Sequence, residues 1–264
     1  MKKQTDWMTK TVVAHRGLHD NKTLPENSLG AFENAINHGF GIEFDVWRTK
    51  DGELVVHHDP KLKRTCLIEG KITDIDTSKL EEYKLMNTEY SIPTFSRVLD
   101  LVAGRVNLVI EIKPTKAVEL TCSQVWEELK HYKGNYCIES FDPRVVRWWA
   151  KNHPEVILGQ LCDYYALHKL MVRAYKQHKY VDFLAVSIKN LPSAYYKKLK
   201  RLNPDLIIIT WTVRTPEQLT LALENADNII FETNAKVDGY IDMPTSEYKN
   251  LKPFKRHCDV TNNK

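Results

Sequence analysis

The feature that most limits what this chain can fold into is a rhythm: a short run of Val, Ile and Leu, then a longer amphipathic stretch, repeated from one end to the other. The runs at 11–14, 41–46, 53–57, 106–112, 136–140, 156–161, 182–186, 206–212 and 228–232 read as strands. Most are continuously apolar, as strands covered on both faces are. Between them, 94–103, 117–132, 143–152, 165–178, 193–201 and 215–224 read as helices. The first helix is written in "NSLGAFENAINHG". Leu29, Phe32 and Ile36 make one stripe, Asn27 or Ser28 can cap its start, and Gly39 stands where a chain leaving a helix turns left-handed. Pro143 and Pro216 sit at helix starts, where a missing N–H does no harm.

Alternating strand–helix units with short links give an α/β fold with a parallel sheet, and eight such units in 264 residues make the size of a TIM (β/α)8 barrel. One strand is surplus. It is 53–57, because only "WRTKDG" separates it from 41–46, too short for a parallel crossover but suited to a hairpin turning at Asp51-Gly52. That arm would deliver His57, His58 and Asp59 to the barrel mouth. The chain therefore reads as one domain over 1–264 with an irregular insertion at about 60–92 on the same face. A doubly wound open sheet is the competing architecture. It usually carries a Gly-x-Gly-x-x-Gly loop after its first strand, and that loop is absent.

Composition closes off other classes. Hydrophobic residues make up 42% and charged residues 27%, which excludes a disordered chain. No apolar stretch reaches ~18 residues, and nothing behind the basic start MKKQTDWMTK is apolar enough for a signal peptide, so no stable membrane insertion is expected. The five cysteines are odd in number and scattered, without a Cys-x-x-Cys pair, as reduced thiols of a cytoplasmic protein would be. A net charge of +4 with no basic block interleaved with aromatics argues for a solvated surface and against nucleic acid, and the tail "KNLKPFKRHC" reads as a solvated end. Oligomeric state leaves no mark.

The chemistry sits where strands end. In Gly41-Ile42-Glu43-Phe44-Asp45-Val46 the alternation of side chains puts Glu43 and Asp45 on one face, and in Ile110-Glu111-Ile112-Lys113 it puts Glu111 with Lys113. Barrel enzymes carry their sites at the C-terminal ends of strands. Two carboxylates about 6.6 Å apart repel by roughly 2–3 kcal/mol at an effective dielectric near 20, which a raised pKa can relieve. A third makes a hard divalent cation, Mg2+ or Ca2+, the natural partner. Spacing alone leaves a second option open, a buried ionic network with Arg16, Lys113 or Arg48.

At the end of the first run, Gly17 permits a tight turn close to a ligand, Arg16 can chelate a phosphate, and His15 and His58 can move protons near neutrality. His57 and His58 cannot both face the mouth of an extended segment; His58, next to the Asp59-Pro60 turn, is the one expected there. His19 is expected in solvent. Phe141 and Trp211 end two other runs and could wall a pocket for an apolar or quaternary ammonium group, though core packing also explains them. Ser140 lacks the Gly-x-Ser-x-Gly elbow of a nucleophile.

Taken together, these residues resemble the glycerophosphodiester phosphodiesterase family. "AHRGLHDNKTLPENSLGAFENAINHGFGIEFDVWRTKDGELVVHHDPKLKRT" carries His-Arg-Gly, Pro-Glu-Asn-Ser, Glu-x-Asp, Thr-x-Asp-Gly and His-Asp-Pro in order, and "IPTFSRVLDLV", "LVIEIKP", "IESFDPRVVRWWAKNHPEV" and "WTV" continue the match. The resemblance implies a TIM barrel and metal-dependent hydrolysis of a small glycerophosphodiester to glycerol 3-phosphate and an alcohol. It implies His15 and His58 as an acid–base pair, Glu43, Asp45 and Glu111 as ligands of one divalent cation, and Arg16 and Lys113 as phosphate binders. One departure stands out. Where the family's last strand reads like Asp-Gly-Ile-Ile-Thr-Asp-x-Pro, this chain has "ADNIIFETNAKV", with Glu232 near the place of the later Asp. That difference is expected to touch the far rim and not the catalytic set. The competing functions are a phospholipase D-like or phosphoinositide-cleaving lyase on the same barrel, a phosphomonoesterase, and a phosphodiester-binding module without catalysis.

Overall fold

The protein is described by a computed structural model covering residues 3–163, 181–191 and 194–233. The helix expected at 165–178 and the Lys-rich tail lie outside these residues. Nine strands form one sheet: β1 (Val13–His15), β2 (Gly41–Arg48), β3 (Leu54–Val56), β4 (Leu108–Ile112), β5 (Tyr136–Ser140), β6 (Ile157–Cys162), β7 (Phe183–Ser187), β8 (Ile207–Val213) and β9 (Asn228–Phe231). All but β3 pair in parallel, and β1 bonds both β2 and β9, so eight strands close into a barrel. β3 is the surplus strand. It runs antiparallel to β2, with Val46 opposite Val56 and Arg48 opposite Leu54.

Six helices of eight or more residues flank the barrel among the described residues: α1 (Leu29–Asn37), α2 (Phe95–Val102), α3 (Val118–Leu129), α4 (Pro143–Asn152), α5 (Ala194–Leu202) and α6 (Pro216–Asn225). Their starts follow local chemistry. The Ser28 side chain, not Asn27, caps α1 by accepting from the Ala31 N–H, and Thr215 with Gln218 forms a reciprocal capping box at α6. None of the described helices is long and apolar enough to cross a membrane.

Strand alternation splits the apolar residues into two cores. The outer one lies between barrel and helices and includes Phe32, Phe44, Phe95 and Trp149. The inner one fills the barrel with Val13, Val109, Cys137, Phe183 and Ile209, plugged from the strands' N-terminal end by Met8. Gly159 is forced by this filling: a Cβ there would lie 2.1 Å from the Phe183 ring. Residues 60–92 are a helical turn (Lys63–Cys66) and two 3-10 segments, gathered around a small core of Leu62, Ile72, Ile75, Leu85 and Ile92 against Val55. Among the described residues, four cysteines are buried free thiols.

Candidate active site

The site assembles from strand register. His15 is the last residue of β1 and not the first of a loop, because it pairs with Glu43 of β2. Asp45 pairs with Glu111 of β4, and Glu111 with Glu139 of β5. Side-chain parity thus carries across neighbouring strands. One carboxylate oxygen from each of Glu43, Asp45 and Glu111 lies within 4.8 Å of the others, and the three residues are 2%, 1% and 5% exposed.

Cations surround these acids. Lys113 Nζ lies 2.6 Å from Asp45 Oδ1 and 2.8 Å from Glu111 Oε2. Arg16 donates through its backbone N–H to Glu43 Oε2 (3.0 Å), and its Nε is 3.6 Å from Asp45 Oδ2. Asn27 Nδ2 donates to Asp45 Oδ2 at 2.8 Å. The ionic network considered at the start is therefore present for Arg16 and Lys113. It does not include Arg48, whose Nε turns away to donate to Gln124 on α3.

This network leaves the acids unevenly balanced. Burial works against the Asp45 charge, but Lys113 and Arg16 override it and hold the carboxyl well below the usual range. Burial, then the neighbouring Asp45, pushes Glu43 well up. Glu111 is pushed up to about 7 by burial, against the pull of Lys113. Glu111 Oε1 is buried and accepts no hydrogen bond from the described residues. Three buried carboxylates with an orphaned oxygen, two of them resisting ionisation, form a donor set that a small hard divalent cation fits.

The histidines behave differently from one another. His57 is locked into the segment behind it: Nδ1 meets Asp59 O at 2.7 Å and Nε2 meets Thr65 Oγ1 at 2.6 Å. His58 is the ring left toward the mouth, its Nδ1 2.6 Å from Asp59 Oδ1, and burial, then Lys113 and Arg16, pull it down against Asp45. His15 Nδ1 lies 2.5 Å from Glu232 Oε1, while its Nε2 faces Glu43 Oε2 at 3.8 Å. Burial, then the nearby Arg16, pulls His15 down to about 4, against Glu232. Phe141 and Trp211 meet edge to face, with centroids 5.7 Å apart, on top of the inner core. The Trp211 indole N–H is enclosed and finds no acceptor among the described residues.

Two expectations need correction. The Glu232 departure is not confined to the far rim, because this residue follows Phe231, which pairs with Ala14, and so meets His15 across the barrel seam. His19 is not a solvent residue: both ring nitrogens are enclosed, without a hydrogen-bond partner among the described residues. Gly17 is also required by α1. Its φ is +82° and a Cβ would lie 2.9 Å from Ala31 C and the Phe32 ring.

Other members of the site carried no separate signal in the sequence. Glu26 accepts from Arg16 Nη1 (2.7 Å) and from both terminal nitrogens of Arg64 (2.7 Å each), and Arg64 Nε also donates to Asp59 Oδ2 at 2.6 Å. Glu26 could have been suspected from its place in Pro-Glu-Asn-Ser. Arg64 could not, since only tertiary packing returns it to the mouth. Glu139 is a further buried acid, pushed well up by burial and by Glu111.

Residues 15–241 match the model of the glycerophosphoryl diester phosphodiesterase family. A glycerophosphodiester phosphodiesterase of Caldanaerobacter subterraneus is 42% identical over 169 residues, 58% of this chain and 67% of that protein. One from Bacillus altitudinis is 36% identical over 166 residues, 58% of this chain and 66% of that protein, so the matched part spans about two thirds of these relatives. The crystal structure of the Thermotoga maritima glycerophosphodiester phosphodiesterase superposes with a TM-score of 0.70 at 28% identity, covering 84% of this chain and 94% of that one. An Oleispira antarctica phosphodiesterase in complex with the product sn-glycerol-3-phosphate shares the fold with a TM-score of 0.69 at 21% identity, over 84% of this chain and 92% of that one. The chain belongs to the glycerophosphoryl diester phosphodiesterase family.

Proposed function

We propose that this protein hydrolyses small glycerophosphodiesters to glycerol 3-phosphate and an alcohol, with one divalent cation, Mg2+ or Ca2+, held by Glu43, Asp45 and Glu111. The observation that carries the reading is the convergence of those three buried carboxylates beside two imidazoles, each engaged at Nδ1 by a carboxylate. When bound, the cation supplies positive charge against the non-bridging oxygens of the phosphodiester. Arg16 and Lys113 bind the same phosphate, and both are held close by acids that would share them with it. Of His15 and His58, one takes a proton from the nucleophile and the other gives one to the departing alkoxide. Phe141 and Trp211 wall the pocket for the alcohol, an apolar or quaternary ammonium group. The nucleophile is water or, in a first step, the glycerol 2-hydroxyl, which would give a cyclic phosphate. The reading takes 1–264 as one domain, with 60–92 forming part of its mouth, working in a reducing cytoplasm that suits four buried free thiols.

Hydrolysis of glycerophosphocholine with and without chelator, followed by Mg2+ or Ca2+ add-back, tests this. Turnover lost to chelator and restored by either cation is the expected result. A persistent cyclic phosphate would move the protein to the lyase class, hydrolysis of glycerol 3-phosphate itself to the phosphomonoesterases, and binding without turnover to the non-catalytic class.

A further inference from the structure

The far rim of the barrel holds three groups in a row whose first member is His15. Glu232 Oε1 lies 2.5 Å from His15 Nδ1. Arg214 Nε donates to Glu232 Oε2 at 2.7 Å and Arg214 Nη2 to Oε1 at 2.9 Å. We propose that Arg214 and Glu232 form a positioning clamp for His15, in which the Glu232 carboxylate, fixed by the Arg214 guanidinium, accepts the Nδ1–H and so keeps the lone pair on Nε2, the nitrogen that faces the acids. The proposal rests on the reading of His15 as a proton-transfer group.

The chemistry of the groups requires this arrangement. An ionised carboxylate only accepts, so the imidazole nitrogen beside it must carry the hydrogen. A neutral imidazole has one hydrogen for two nitrogens, so placing it on Nδ1 leaves Nε2 free to take a proton. Water does not compete strongly, because the His15 and Glu232 side chains are 11% and 12% exposed. Burial works against the Glu232 charge, but His15 and Arg214 hold its carboxyl well below the usual range.

Both arms of the clamp are anchored by backbone. Glu232 N–H donates to Val213 O at 3.1 Å, tying the end of β9 to β8. Arg214 N–H donates to Gln218 Oε1 at 2.7 Å, within the capping box that starts α6. The His15 ring is thus oriented by the residues that close the barrel, β8 and β9 against β1. The device has a counterpart on the other ring, where Arg64 Nε donates to Asp59 and Asp59 meets His58 Nδ1.

The test uses the full chain with cation present at one fixed pH, and compares wild type, Glu232→Ala, Glu232→Gln, Arg214→Ala and His15→Ala. Readouts are glycerophosphocholine turnover, cation affinity by calorimetry, thermal midpoint, and the 15N spectrum of labelled histidine. A supporting result is a kcat for Glu232→Ala lowered about 100-fold, the loss typical of such an orienting partner, with KM and cation affinity within about 3-fold of wild type. Glu232→Gln, which keeps an acceptor, should fall between, and Arg214→Ala should lose less than Glu232→Ala. The spectrum should show the His15 hydrogen on Nδ1 in wild type and a mixture of tautomers in Glu232→Ala. The clamp is overturned if Glu232→Ala keeps kcat within 3-fold of wild type, or if kcat, cation affinity and thermal midpoint all fall together, or if the tautomer does not change. A fully active His15→Ala would instead remove the catalytic reading, and the spectrum would still decide the clamp.

Discussion

On one side of the mouth the ring, its carboxylate and the guanidinium behind it are residues 58, 59 and 64; on the other side the same three groups are residues 15, 232 and 214. The first set is local. Its three members lie within seven residues, on the arm after β3 and the helical turn that follows. The second spans the chain and exists only when β9 has docked on β1. The two histidines therefore differ in what can disturb them. His58 depends on the packing of the 60–92 segment, whereas His15 depends on closure of the barrel. They also differ in setting: the His58 side chain is 33% exposed and the His15 side chain 11%.

The largest effect that bears on this contrast is removal of either ring. His15→Ala and His58→Ala should each lower kcat by about 10^3-fold, within the usual range for a general acid or base. Near-wild-type turnover in one of them would show that only one rim carries proton transfer. Removing the local clamp with Arg64→Ala should lower kcat by about 10-fold to 100-fold. It should also raise KM, because Arg64 shares Glu26 with Arg16, whereas the seam variants should leave KM alone. Steady-state kinetics on the two sets side by side measures that split, and equal KM changes would break the comparison.

A backbone change probes the seam more gently. Gly17→Ala places a Cβ 2.9 Å from Ala31 C at a φ of +82°, so it should cost about 1–3 kcal/mol, read from urea unfolding. The smallest effect is one of pH. A histidine held at about 4 when folded binds fewer protons than its unfolded form with the ordinary value of 6.5, so its contribution to stability is intact above 6.5 and declines as pH falls toward about 4. The difference in thermal midpoint between wild type and His15→Phe should therefore shrink from pH 7 to pH 5. A constant difference would mean that the ring is not held neutral by burial.

Much of this was legible early because the signals were local or periodic. Continuous apolar runs identified the parallel strands, and the short link "WRTKDG" identified the antiparallel arm. Period-two alternation put Glu43 with Asp45 and Glu111 with Lys113 without reference to any contact. What escaped was pairing at long range. Arg64, Glu26 and Asp59 form one network across the mouth, but nothing in their spacing says that a loop residue after β1 will meet a helical turn 38 positions later. The burial of His19 escaped for the same reason, since the walls around a loop belong to other elements. Gly17 was recognised as special, yet the cause of its need, the approach of α1, is a packing fact.

The sequence by itself determined the barrel, the antiparallel arm and the face on which the acids stand, because strand alternation and the apolar rhythm act over neighbouring residues. Only the tertiary structure decided that Glu232 belongs to His15, that Arg64 reaches Glu26, and that Lys113 sits between Asp45 and Glu111. Those choices depend on which strands close against which and in what register, and such a relation is set by the whole sheet at once.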